Sequence, residues 1–129
     1  MVENMIKSHL NRVYDTIVSR GYLEIENLIV ESEFIEGRLK FYDGSLLEFD
    51  ELLTVKNHEV HKIRYSYHYQ DSDERLIFRY DNAPHFRNII TYPHHKHIGG
   101  EEEQVVPSSP PDLDAVLREI EQLLFGEEK

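Results

Sequence analysis

The chain has 129 residues, the size of one ordinary domain, and its 40% hydrophobic and 30% charged residues fit a folded soluble protein better than a disordered one. A formal charge of −11 excludes broad, nonspecific nucleic-acid binding, which needs Lys and Arg to neutralise phosphates, but leaves room for a local site or a basic partner. Without cysteine there is no disulfide framework, thiolate nucleophile or thiolate zinc site, and without a long apolar run or a signal-peptide start, a cytoplasmic protein with no membrane contact is expected.

The first element is a helix over about residues 3–20, because Ile6, Leu10, Val13, Tyr14 and Ile17 recur at steps of three and four and Gly21 follows as a stop. Strand-like segments then occupy about residues 22–82, at 25–35, 38–42, 45–55, 61–70 and 75–80. A three-residue turn of Tyr42, Asp43 and Gly44 sets Leu39 against Leu47, which keeps apolar side chains on one face. In the next hairpin the alternation Tyr65, Tyr67, Tyr69 predicts pairing with Tyr80, Phe78 and Leu76, with those tyrosines in the core. The same register pairs His68 with Ile77, Ser66 with Arg79, and Arg64 with Asp81 on the other face. Residues 83–100 read as a His-rich loop and 101–110 as a linker, with Ser109 as the N-cap of a C-terminal helix over residues 111–125 that ends at Gly126. The expected fold is α+β: one domain, residues 1–129, with an antiparallel meander of about five strands and both terminal helices on its apolar face.

Residues 58–97 hold seven of the eight histidines and are nearly charge-neutral, with six Lys/Arg and five Asp/Glu in an otherwise acidic chain. Histidine titrates near neutral pH, so the segment suits proton transfer, metal ligation or anion binding. His94, His95 and His97, joined by His85, are the ligand candidates. Consecutive residues of an extended segment diverge, so at most two of the trio share a site, and Lys96 would set a positive charge beside a metal. The metal-free alternative is general acid/base chemistry at an RNA phosphate, with histidines moving protons and Arg or Lys stabilising phosphate charge. Catalysis is assigned to His68, Arg79, His95, Lys96 and His97, and substrate contact to Arg64, His85 and His94, with no metal or other cofactor expected. A simpler role for Arg64 is an ion pair with Asp81, and Glu3, Asp15, Asp112, Asp114, Glu119 and Glu121 read as solvated helix surface. The competing class is a noncatalytic binding protein with an acidic partner surface and a His-rich metal or structural loop.

Arg64-Tyr65-Ser66-Tyr67-His68-Tyr69-Gln70, Leu76-Ile77-Phe78-Arg79-Tyr80-Asp81-Asn82-Ala83-Pro84-His85 and Pro93-His94-His95-Lys96-His97 together resemble the TumE-like family of small prokaryotic proteins. The Asp43-Gly44 turn and the late Ser109-Pro110-Pro111 with its helix fit the same family, so the resemblance covers about residues 22–124. It implies the toxin of a type II toxin/antitoxin pair, neutralised by a helix-turn-helix antitoxin. Ribonuclease activity is a further step. The positions that match the family pattern are Tyr67, His68, Tyr69, Arg79, Tyr80, Asp81, Asn82, His85, His94, His95, Lys96 and His97.

Overall fold

A computed structural model describes residues 2–126. Helix α1 (Val2–Val18) is followed by strands β1 (Glu24–Glu31), β2 (Phe34–Lys40), β3 (Leu46–Lys56), β4 (Glu59–Gln70), β5 (Leu76–Asp81), β6 (His95–Ile98) and β7 (Gln104–Pro107), then by helix α2 (Leu113–Phe125). The seven strands form one antiparallel sheet in chain order, a meander without crossovers. Both helices lay their apolar stripes, Ile6, Leu10, Val13 and Ile17 from α1 and Leu113, Val116, Leu117 and Ile120 from α2, on the sheet face that carries Ile35, Leu39, Leu47, Tyr65, Tyr67, Tyr69 and Phe78. The expected α+β layout and tyrosine core are therefore present. Among the described residues no helix is long and apolar enough to cross a membrane.

The strand count differs from expectation, seven rather than about five, because the supposed loop contains β6 and the supposed linker contains β7. Neither carries the apolar face that marks a strand in sequence. They are held by ladder bonds to the sheet edge and by polar side chains that find partners on both faces. At the other end, the first hairpin turns between β1 and β2, at Ser32 and Glu33, rather than near Gly37. Gly37 lies inside β2 because the Phe49 ring fills the space of a side chain there, with Cε1 2.5 Å from the position a Cβ would take.

The Tyr42, Asp43, Gly44 turn sets Leu39 opposite Leu47 as expected, with Gly44 at φ 85°. The β4–β5 hairpin has a different register: Tyr67 opposes Tyr80, Tyr69 opposes Phe78, His68 opposes Arg79 and Ser66 opposes Asp81. Its turn is organised by Asp71, whose carboxylate accepts the N–H groups of Asp73 and Arg75, while Glu74 adopts φ 66° and the register slips next to Gln70. The shift amounts to two residues, so every side chain keeps its face while its cross-strand partner changes. Arg64 consequently lies opposite Leu52 of β3 and makes no pair with Asp81. Beyond the end of β5, Asn82 closes the gap by accepting the Tyr65 N–H and donating to the Ile63 carbonyl. The N-cap of α2 is Asp112 rather than Ser109, its carboxylate accepting the Ala115 N–H at 2.8 Å.

Candidate functional site

Strand β6 decides how the histidine-rich segment is used. Alternation sends His95 and His97 to the open face of the sheet and Lys96 to the helix-covered face. On neighbouring β5, Asp81 lies directly opposite His95 and Arg79 opposite His97, while β4 brings His68 opposite Arg79. Ladder geometry alone therefore gathers His68, Arg79, Asp81, His95 and His97 on one face. The loop after β5 adds His85 and Phe86, and together these residues line a cleft of about 480 Å³. A second open cleft runs on across the same face past Glu36, Arg38, Glu48, Asp50 and Ser66, sharing His68 and Arg79 with the first.

The floor of the cleft is buried. His95 is 1% exposed, and the Phe86 ring covers it at 4.8 Å between ring centroids and His97 at 5.7 Å. His95 Nδ1 donates to the Pro93 carbonyl at 2.9 Å, and His97 Nδ1 donates to the Glu103 carboxylate at 2.6 Å. Those two bonds fix both rings so that Nε2 of each turns toward Asp81. His95 Nε2 is 3.0 Å from Asp81 Oδ1 and His97 Nε2 is 3.4 Å from Oδ2. The His95 contact is at ion-pair distance but lacks hydrogen-bond alignment, which leaves Nε2 buried without a hydrogen-bond partner. Asp81 is fixed independently, Oδ1 accepting the Ala83 N–H and Oδ2 the Arg79 Nε–H, each at 3.0 Å.

The rim is open to solvent. The Arg79 guanidinium donates to His68 Nδ1 at 3.2 Å, and burial, with the guanidinium adding to it, lowers the His68 pKa. His68 is therefore neutral at pH 7. His85 is exposed and lines the same cleft.

Three of the sequence candidates lie elsewhere. Lys96 reaches Glu119 of α2 at 2.7 Å, beside Tyr80, whose hydroxyl donates to the same carboxylate at 2.6 Å. His94 packs on the helix side, its Nδ1 3.0 Å from the Tyr65 hydroxyl, with a pKa lowered by burial and by Lys62. Arg64 is exposed, away from the cleft, and makes none of the ion pairs found among the described residues. Conversely, the sequence reading offers Asp81 a role only as a cross-strand partner of Arg64 and Glu103 only as part of the linker, and both line the cleft. The signal for Asp81 was its place at the strand end, one residue from a proline-containing turn. For Glu103 there was none short of the β6–β7 pairing.

A family model described as "Toxin TumE" matches residues 6–124. The chain belongs to the TumE toxin family. No curated protein and no solved structure matches it. The TumE match takes in α1 as well as the segment that carries the resemblance, and it contains every residue of the cleft. Membership of this toxin family also implies an antitoxin partner.

A second polar cluster lies between the sheet and the helices. Glu51 of β3, 1% exposed, accepts from the Tyr67 hydroxyl at 2.5 Å, lies 2.9 Å from His9 Nε2 on α1, and sits 3.9 Å from Lys62 Nζ. Lys62 also donates to the Tyr67 hydroxyl and to the Pro111 carbonyl. Burial alone would raise the Glu51 pKa, but the His9 hydrogen bond and the Lys62 charge outweigh it and hold the carboxyl below its ordinary value. Burial likewise lowers the Lys62 pKa. This cluster joins α1, the sheet and the segment leading into α2, and it opens onto no part of the cleft beside β5 and β6.

Proposed function

We propose that this TumE-family chain is the toxin of a type II pair, held inactive by a helix-turn-helix antitoxin in the cytoplasm, and that it cleaves RNA at the cleft beside β5 and β6. The observation that carries the reading is the convergence of Arg79, His68 and His85 around one solvent-open cleft on an acidic protein. Arg79 is the cation for a phosphate: its guanidinium is part-exposed and already anchored through Nε to Asp81. A phosphate that draws the outer guanidinium nitrogens also frees His68 Nδ1. Neutral His68 then serves as the base that takes a 2′-hydroxyl proton, and His85 of the same cleft protonates the leaving 5′-oxygen. His95 and His97, at the covered floor, act through Asp81 and Arg79 rather than by touching substrate.

Induction in a host cell tests this reading. The intact chain is expected to arrest growth and degrade RNA, Arg79→Ala to abolish both while still folding, and co-expression of the neighbouring gene's product to restore growth and copurify with the toxin. Growth arrest by Arg79→Ala equal to that of the intact chain would refute the assignment of this face.

A further inference from the structure

We infer that Asp81, His95 and His97 form a binding site for one divalent transition-metal ion of the zinc class, at the floor of the cleft. Their ligand atoms all lie within 4.8 Å of one another. His95 Nε2 lies 3.0 Å from Asp81 Oδ1 and His97 Nε2 lies 3.4 Å from Asp81 Oδ2, contacts close to the roughly 3.3 Å expected between neighbouring ligands of one ion with bonds of about 2.0–2.1 Å.

The orientation of the two rings carries the inference further than proximity does. Both imidazoles spend their Nδ1 protons on fixed acceptors, the Pro93 carbonyl and the Glu103 carboxylate. This is how metal-ligating histidines are oriented by a surrounding shell. Both rings therefore turn Nε2 toward the Asp81 carboxylate in a covered space, and Arg79, which neutralises that carboxylate through Oδ2, leaves His95 Nε2 without a partner. The 3.0 Å contact of His95 Nε2 with Asp81 lacks the alignment of a hydrogen bond, leaving Nε2 an orphan at 1% exposure. Two imidazole nitrogens with one carboxylate oxygen suit zinc, cobalt, nickel or iron(II) better than calcium or magnesium, which prefer all-oxygen shells.

Both sequence objections to a metal dissolve in this geometry. His94 diverges from its neighbours, but His95 and His97 share a face at a spacing of two, and Asp81 supplies the third ligand from the next strand. Lys96 points away and is neutralised by Glu119.

Metal binding is measured without RNA or cells, so it can fail while the RNA reading stands, and the reverse. Untagged full-length chain is stripped with a chelator and titrated with zinc by calorimetry, then with cobalt(II) by visible absorption. Intact protein and His94→Gln are expected to bind one ion per chain with the absorption bands of low-coordinate cobalt. His97→Gln and Asp81→Asn, checked for folding by circular dichroism, should lose those bands and bind at least about tenfold more weakly, and Glu103→Gln about ten- to a hundredfold more weakly. No stoichiometric zinc in the intact chain, unchanged binding by His97→Gln, or a loss in His94→Gln as large as in His97→Gln would each overturn the site.

Discussion

Removing the Glu51 carboxylate should destabilise the fold more than any comparable change of a surface acid. In Glu51→Ala the Tyr67 hydroxyl loses its acceptor, and Lys62, 16% exposed at its side chain, keeps hydrogen bonds to Tyr67 and Pro111 but loses its ion-pair partner and retains only the weaker influence of Asp112. A buried hydroxyl whose donor loses its acceptor costs about 1–3 kcal/mol, and breaking one side of a buried ion pair about 3–5 kcal/mol. Because Lys62 stays hydrogen-bonded and His9 has access to water, the lower end applies, about 3 kcal/mol. For a domain of this size that corresponds to a fall in Tm of roughly 10 °C. Urea and thermal unfolding of the pure protein measure it, and Glu51→Ala with Lys62→Ala should cost less than the sum of the single changes because both charges leave together.

The pH dependence has a defined sign. The folded-state carboxyl of Glu51 lies below its unfolded value of about 4.3, so its contribution is complete above that value and is lost as pH falls through the lower one. The advantage of the intact chain over Glu51→Gln should therefore be full at pH 7 and shrink below about pH 4. Lys62, whose pKa is also lowered, adds a rise in stability between its folded value and about 10.4. A Glu51→Ala melting point within about 2 °C of the intact chain would refute the buried-pair account.

Lys96→Ala should cost about 1 kcal/mol or less, the range for a part-exposed ion pair, and leave toxicity intact, since Lys96 serves Glu119 on the far side of the sheet; loss of toxicity in a variant that melts normally would contradict that placement. Gly99→Ala should disrupt the β5–β6 edge, because a Cβ there would sit 1.8 Å from the Leu76 carbonyl oxygen, a backbone atom that cannot swing aside. Amide exchange at β6 should rise sharply in Gly99→Ala while that of β2 and β3 is unchanged. Equal protection of β6 in both proteins would be the contrary result.

The helices and the tyrosine face were legible because each buries an apolar stripe of regular period, 3.6 residues for Ile6 to Ile17 and 2 residues for Tyr65 to Tyr69. The Tyr42 to Gly44 turn was legible because only one register kept Leu39 and Leu47 together. Period alone could not fix the β4–β5 pairing, since a slip of two residues preserves both faces and the choice fell to the side chain of Asp71. β6 was illegible for a different reason. Its faces bear His95 and His97 on one side and Lys96 on the other, and what buries them, Phe86, Glu103 and Glu119, comes from distant parts of the chain. The candidates are divided by the sheet: His68, Arg79, His85, His95 and His97 meet at the cleft, while His94 and Lys96 face the helices.

The most direct measurement is cleavage of a single-stranded RNA by the purified toxin, with the ends of the fragments identified. Attack by a 2′-hydroxyl predicts 2′,3′-cyclic phosphate ends, resistance of a substrate carrying a 2′-deoxy sugar at the scissile position, and loss of cleavage in Arg79→Ala but not in Lys96→Ala. Intact RNA after incubation with folded toxin, or equal cleavage of the deoxy substrate, would contradict the proposed chemistry of this face.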